Sequence, residues 1–481
     1  MHICSLAFFP RTAGETFPFS RVLNFIWLAM LLVSVLVGGF TGRLDVMTKG
    51  AFTQAEDAVM KIALPLVGLM AIWMGMMRLA ERAGLVQVLA RALKPVMRRL
   101  FPDVPPEHPA MGAMVLNMSA NMLGLSNAAT PLGLRAMALL QKLNPRPTVA
   151  SNSMVTFLAV NTASLQLVPT TAISILAVQG ARSPSSIVVP AFIATAIAMC
   201  CGVATAKVLG RLRMFQVPPD DDEVAVVVDA KSEDTEKETV SAPALTIRGR
   251  AILALLFAAF AWMWMLMSFP DAFPGWKASE AMRNLANAQA TQPAATPTQA
   301  ANSPVLAMLQ GAGTLAVPFL LAFLPLYAAL RRVKVYEQFC EGAKEAFATA
   351  QRIIPFLVAM LIAIRLLRDS GVMQLLTDTL HPVLSFLHFP ADLLPLAIMR
   401  PLSGSASQGI FVDVVKTHGA DSLIAKMAAT IYGSTETTFY VLAVYFGSVG
   451  LRKTRHAVAV GLTADIVALV VAITICRLMF A

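Results

Sequence analysis

The stretch IYGSTETTFYVLAVYFGSVG, residues 431–450, decides how this chain is read. It is apolar enough to lie in a membrane, yet Ser434, Thr435, Glu436, Thr437 and Thr438 follow one another without a break. A carboxylate and four hydroxyls are costly in hydrocarbon, where no water is present to bond them. Such a row is expected only where it faces a cavity or other polar groups.

The surroundings of that row are those of a membrane protein. Of 481 residues, 57% are hydrophobic and 14% charged, with a mean hydropathy of +0.67. Soluble domains carry roughly 25% charged residues. The runs 22–40 and 186–206 contain no charge and 456–476 a single acid. All three reach the length of about 18 residues that spans a bilayer. They are continuous rather than alternating, which excludes a β-barrel. The fold class read from this pattern is an all-α polytopic membrane protein. The net charge of +10 reflects Lys and Arg gathering on cytoplasmic loops rather than a nucleic-acid partner. Cys4, Cys200, Cys201, Cys340 and Cys476 show neither metal-ligand spacing nor a disulfide framework. The six His residues are scattered, and no nucleophile–base pair or phosphate loop stands out, so neither an enzyme nor a cofactor is expected, with Na⁺ or H⁺ left open as a coupling ion. No small-residue cleavage site follows the first apolar run, which is read as a retained helix.

Two segments interrupt the apolar pattern. One is acidic and Pro-flanked, the other rich in Ala, Pro, Gln and Thr, and neither composition buries a core. They divide the chain into a first membrane half at 1–213, an acidic linker at 214–247, an extra transmembrane helix at 248–269, an Ala/Pro/Gln-rich linker at 270–304 and a second membrane half at 305–481. The halves share an order of features. Pro65, Arg78, Pro95 and Pro109 fall on Pro355, Arg368, Pro382 and Pro395, NMSAN (117–121) falls on SGSAS (403–407), and NTASLQ (161–166) falls on GSTETT (433–438). The loop 81–108 holds Arg82, Arg91, Lys94, Arg98 and Arg99, whereas 369–394 holds no Lys or Arg. By the positive-inside rule these corresponding loops lie on opposite sides, so the halves are predicted to be inverted repeats, as in secondary transporters. The same rule places the acidic linker and the N-terminus in the cytoplasm and the second linker outside, in a bacterial inner membrane.

Each half carries two polar interruptions with Gly or Pro, the composition of a discontinuous helix or a re-entrant hairpin facing a cavity. The segment 421–451 begins near Lys426 and ends at RKTR, two basic points read as one side, so it is predicted to be a hairpin with GSTETT at its tip. A matching hairpin at about 149–180 would enter from the other face, the two tips meeting near the midplane. The candidate solute- or ion-binding residues are Asn117, Ser119, Asn121, Asn127, Thr130, Asn161, Thr162, Ser164, Gln166, Arg400, Ser403, Ser405, Ser407, Ser434, Thr435, Glu436 and Thr437. Any single hydroxyl among them is also explained as helix packing or back-bonding. Glu436 is harder to explain that way, because intramembrane carboxylates mark ion or proton paths. Arg400 either binds an anionic group, pairs with Glu436 or caps a broken helix.

NMSANMLGLSNAATPLGLRAM (117–137) resembles the signature of the spore maturation A family. RPLSGSASQGI (400–410), HGADS (418–422) and YGSTETTFYVLAVYFGSVGLRKTRHA (432–457) are similar to the B family. The chain thus looks like a fusion of the two, within the gate or nucleoside-recognition group related to concentrative nucleoside transporters. That resemblance implies a midplane site built from hairpin tips, mapped to NTASLQ and GSTETT, and unwound helices, mapped to NMSAN and SGSAS. It also implies transport linked to spore core dehydration. Only the second of these tips carries an acid, which leaves a two-carboxylate ion scheme without its second member.

The function read from all this is an ion-coupled inner-membrane secondary transporter for a small polar or anionic solute, nucleoside-like or an organic acid. Glu436 would couple the ion or orient the solute. The other reading is a non-transporting membrane scaffold or regulator of envelope or spore maturation. The expected partners are a small-molecule solute and the lipid bilayer, with a homo-oligomer left open.

Overall fold

The structure, a computed structural model, describes residues 19–124, 126–212, 215, 245–269, 304–375, 379 and 389–480. Most of the acidic linker, nearly all of the Ala/Pro/Gln-rich linker, His381 and His388 lie outside the described residues, as does the side chain of Asn127. Among the described residues the chain is helical, with one isolated bridge between Val149 and Lys453 in place of a sheet. Among the described residues, five helices are long and apolar enough to cross a membrane. The protein is an all-α polytopic membrane protein.

Helix α1 (Phe19–Phe40) leads into α2 (Leu44–Asp57), which continues through a π-helical turn, Ala58–Ala63, into α3 (Leu64–Arg82). Pro65 lies in the first turn of α3. It cannot donate a backbone hydrogen bond, and the wider turn before it accommodates the break in the ladder. The 39-residue span Leu44–Arg82 is about 58 Å long at 1.5 Å per residue. Helix α4 (Leu85–Leu100) follows, with Arg98 and Arg99 in its last turn. After α5 to α9, described below, α10 (Ile247–Ser268) and α11 (Pro304–Leu330) lead to α12 (Val335–Asp369).

Helix α12 runs antiparallel to α2 and α3, and glycines allow the close approach. A Cβ on Gly342 would lie 2.5 Å from Arg78 Cβ and 2.6 Å from Met74 O, and one on Gly75 2.6 Å from the Phe339 ring. Only glycine tolerates such backbone contact. At the far end Arg43 Nη1 donates to Asp369 O at 3.5 Å.

The helices define two ends. At one lie Arg331, Arg332 and Lys334 after α11, and Arg452, Lys453 and Arg455; this is the basic end. The other carries mixed charge, with Arg182 near Asp421 and Lys416 near Asp57.

Helices α5 (Pro109–Met122) and α6 (Ser126–Lys142) form a hairpin that enters from the basic end, turns after Met122 through Leu123 and Gly124, and returns. Asn117 Nδ2 spans its arms to Ala129 O at 2.8 Å, and Gln141 near its exit donates to Pro147 O. Helices α7 (Asn152–Ala163) and α8 (Thr170–Val178) instead form one broken span. It starts at the basic end, where Arg452 N donates to Thr148 O, and finishes at the other end, where Arg182 N donates to Asp421 Oδ1. Helix α9 (Val188–Leu209) then crosses back uninterrupted, bringing Gly210 beside Asn152.

The second half also holds a hairpin followed by a broken span. A 3-10 turn, Ala391–Leu393, and the short α13 (Leu394–Met399) enter from the mixed-charge end, turn at 400–403 and return through α14 (Gly404–His418). The two open ends of this hairpin meet where His418 Nε2 lies 3.5 Å from Asp392 Oδ1. Helices α15 (Leu423–Ser434) and α16 (Thr438–Ser448) form a second broken span, running from Asp421 to the basic end at Lys453. Helix α17 (Ala457–Phe480) crosses back, so that Lys426 near the start of α15 sits 4.4 Å over the Phe480 ring.

Hairpins and broken helices are therefore both present, but with their places exchanged relative to the sequence reading. The turns at 123–124 and 400–403, beside NMSAN and SGSAS, are the hairpin tips. The segments 149–180 and 421–451, expected as hairpins with NTASLQ and GSTETT at their tips, are broken spans. The error came from treating Lys426 as loop charge on the same side as RKTR. Lys426 lies one turn inside a helix, packed on an aromatic ring at the opposite end, and a single packed lysine carries no topological information.

Candidate functional site

The two breaks and the two tips meet in the middle of the molecule. Helix α7 ends at Ser164, whose φ of 39° places it in the left-handed region. An L residue adopts that conformation at a cost, and here it turns the chain out of the helix. The span resumes at Thr170, after Pro169. In the other span, Thr435 and Thr437 are both extended and flank Glu436. Glu436 N donates to Thr162 O at 2.8 Å, and Gln166 Nε2 approaches Glu436 Oε1 at 3.5 Å, so each break supplies partners for backbone freed in the other. The tips dock on the breaks likewise. Leu167 N donates to Met122 O at 2.9 Å and Phe439 N to Pro401 O at 3.0 Å. This lattice of bonds between breaks is what lets irregular backbone exist at membrane depth.

Asn161, 2% exposed, is the node of the first break. Its Nδ2 donates to Phe157 O, while its Oδ1 accepts from Asn121 Nδ2 at 2.9 Å and from Tyr445 Oη at 3.3 Å. Arg400 at the second tip donates Nη1 to Thr437 Oγ1 at 3.4 Å, and its guanidinium lies 4.9 Å over the Tyr432 ring. It forms no ion pair with Glu436 among the described residues; its contacts are a hydroxyl and an aromatic face. Ser403 caps α14 by accepting from Ala406 N and also meets Ser405 Oγ at 3.3 Å.

Three of the expected hydroxyls are taken up by their own helices. Ser119, Ser407 and Ser434 donate to the carbonyls of Val115, Ser403 and Ile431. Thr162 Oγ1 and Ser164 Oγ are buried without a protein partner. Thr130 lies on α6, four residues past its start. Glu436 is half-buried and Thr435 buried.

A chamber of about 300 Å³ adjoins this centre. Trp73 of α3 and Tyr432 of α15 supply aromatic faces, Gly124 of the first hairpin turn opens space, and Thr170, Ser174 and Gln408 supply polar groups. Ser174 Oγ and Gln408 Nε2 are buried there without a protein partner. Arg78, Glu81 and Glu345 line it as well, with Arg78 Nη1 3.5 Å from Glu81 Oε2. Helices α8 and α16 both begin at the centre with no side chain capping their first N–H groups. Unpaired N–H groups at a helix start attract anions and carbonyl oxygens. Burial, aromatic walls and few convergent polar groups are the usual make-up of a small-molecule site.

Several central residues escaped the sequence reading. Tyr432, Tyr445 and Gln408 are not singled out there, since nothing in their spacing shows which face meets a chamber. Asp465 gave a signal that was passed over: it is the single acid in the apolar run 456–476. It is 9% exposed on α17, and its Oδ2 accepts from Thr438 Oγ1 at 2.5 Å. It brings a second carboxylate to the centre, from the span beside the break rather than from the first break.

Comparison with known proteins agrees with this architecture. A family model described as Gate, nucleoside recognition, matches residues 63–179 and 350–452, which take in both hairpins and both broken spans. The chain is 44% identical over 164 residues to spore maturation protein B of Bacillus subtilis (strain 168), a match covering 34% of this chain and 92% of that protein. It is 40% identical over 176 residues to spore maturation protein A of the same organism, covering 37% of this chain and 89% of that protein.

Proposed function

Because this chain belongs to the family of spore maturation proteins A and B and matches a Gate, nucleoside-recognition, domain, we propose that it is a secondary transporter of the inner membrane. It moves a small polar or anionic solute, nucleoside-like or an organic acid, coupled to an ion. One observation carries the reading. Two broken spans running in opposite directions meet in the middle of the molecule, where the Glu436 carboxylate of one approaches the Gln166 amide of the other at 3.5 Å, beside a chamber holding unpartnered polar groups. A scaffold has no need of such a centre, since every break costs backbone bonds that must be replaced.

The opposite entry of the two hairpins and the antiparallel course of the two broken spans support reading the halves as inverted repeats. Alternating access then follows from rocking one set of elements against the other around a fixed site. The solute occupies the chamber. Trp73 and Tyr432 cover its flat faces, Gln408, Ser174 and Thr170 bond its polar edge, and Arg400 with the start of α16 favours a negative group nearby. Glu436, in the break, binds the coupling ion or orients the solute. The basic end faces the cytoplasm by the positive-inside rule. Helix α1, which finishes at the other end near Asp369, therefore starts on the cytoplasmic side.

A thermal-shift panel of nucleosides, organic acids and amino acids tests this, with and without Na⁺ and at two pH values. A solute at about 100 times its Kd stabilises the protein by about 2.7 kcal/mol. The expected result is a stabilising class whose effect is lost in Glu436→Gln and Gln408→Leu. Stabilisation kept in full by both variants would place the site elsewhere. Absence of any stabilising solute would favour the scaffold.

A further inference from the structure

A second, smaller cavity, about 70 Å³, lies beside the break between α15 and α16, and none of the residues lining it lines the chamber. Arg400 and Pro401 of the hairpin tip, Ser434 and Thr435 of the break, and Asp465 of α17 close it. Asp465 is the ninth residue of a 24-residue helix, about 13 Å along its axis, and so at membrane depth. Its Oδ2 accepts from Thr438 Oγ1 at 2.5 Å, while its Oδ1 is buried without a partner. Arg400 faces the same cavity, yet donates to Thr437 and rests on Tyr432, and its Nε has no partner either.

An ionised carboxylate with a bare oxygen at membrane depth is costly. Two arrangements remove that cost. In one, Oδ1 carries a proton. In the other, Oδ1 is ionised and Arg400 crosses the cavity to pair with it. We propose that Asp465 is a proton-binding site, and that its deprotonation draws Arg400, and with it the tip of the second hairpin, onto α17. Protonation forms one O–H bond at Oδ1, with the proton taken from a hydronium ion; release returns the proton to water. The inference deepens the transporter reading and rests on it for the coupling role.

The surroundings favour a proton over a metal cation. Arg400 is the cation facing this cavity, and it repels Na⁺ there. Glu436 is the other acid of the centre and belongs to the break itself. The helices packed on α17 add little: α7 and α16 carry no charged side chain, α9 carries Lys207 near its last turn, and α15 carries Lys426 near its first. The contact between the start of α16 and α17 is tightly built, because a Cβ on Gly461 would lie 2.4 Å from Thr438 Cγ2. Thr438 and α17 therefore move together, whereas the Arg400 tip is held to the break chiefly by its contacts with Thr437 and Tyr432 and by the Phe439–Pro401 backbone bond.

Infrared difference spectroscopy tests this on the full chain in lipid nanodiscs, with no solute present, between alkaline and mildly acidic pH. The expected result is a protonated-carboxyl C=O band that grows on acidification, is missing in Asp465→Asn and is displaced in Asp465→Glu. In Arg400→Gln the midpoint of that band should move to higher pH by at least one unit, since the ionised form has lost its partner. Two results would overturn the proposal: a band unchanged by all three variants, or a carboxylate band at Asp465 that responds to Na⁺ at fixed pH and not to acid. If Asp465→Asn does not fold, Asp465→Glu and Arg400→Gln still decide it. Because no solute enters the measurement, failure of solute binding would count against the transporter reading alone and leave the proton site standing.

Discussion

Asn161→Ala isolates the bond network that holds the first hairpin tip to the first break. The wild-type carboxamide oxygen accepts from Asn121 and from Tyr445, so the substitution strips two donors of their acceptor, and Phe157 O loses the Asn161 Nδ2 donor. Side-chain hydrogen bonds in membrane proteins average about 0.6 kcal/mol and reach about 1.7 kcal/mol. Two inter-element bonds therefore set a range of about 1.2 to 3.4 kcal/mol. Asn121→Ala and Tyr445→Phe each break one of them and should cost about half as much. The assay is reversible unfolding in mixed micelles, with a double-mutant cycle on Asn161→Ala and Tyr445→Phe. A coupling of about 0.6 kcal/mol is expected, because removing both partners leaves nothing unpaired between them. Additive costs, or a loss below about 0.3 kcal/mol for Asn161→Ala, would refute the claim that this amide ties tip, break and α16 together.

Three further outcomes are expected. Gly342→Val forces α3 and α12 apart, and overpacking of this kind costs about 1 to 3 kcal/mol; Gly112→Ala on α5, which meets nothing within 4 Å, should leave thermal stability in detergent unchanged or slightly raised. Tyr432→Leu removes the ring under Arg400 and should cost about 0.5 to 2 kcal/mol, whereas Tyr432→Phe keeps the ring and should be nearly neutral in the same unfolding assay. His456, in the loop before α17, is held below its ordinary value of 6.5 by burial and by Arg455 beside it. The folded protein therefore resists protonating it while the unfolded chain does not. Stability should be whole above about pH 6.5 and fall as the pH drops below it, and His456→Gln should flatten that part of the profile.

How much of this was legible in the sequence varies by feature, for physical reasons. The long apolar runs at 22–40, 186–206 and 456–476 mark a helical membrane protein through composition alone. The polar rows locate the centre, because hydroxyls and amides at membrane depth must be bonded to something. Asn121, Asn161, Gln166, Arg400, Thr437 and Glu436 were named from those rows, and the structure brings them together. Which rows turn and which cross could not be read. A tip and a break have the same composition, and the distinction lies in where the flanking helices end. Lys426 misled there because a lysine packed on Phe480 looks, in sequence, like one in a loop. Asp465 could have been found by weighing it as Glu436 was weighed, a lone acid in an apolar run. The chamber could not, since Trp73, Ser174, Gln408 and Tyr432 come from four separate helices and no spacing joins them.

The central claim is that a solute crosses this protein at the meeting of the two breaks. Electrical recording from proteoliposomes on a solid support, scanned over the same solute panel with wild type beside Glu436→Gln, tests it most directly. The account predicts a charge-translocating current for one solute class in the wild type, abolished or made electrically silent in Glu436→Gln at equal protein density. Solute-driven current that Glu436→Gln leaves intact would contradict it.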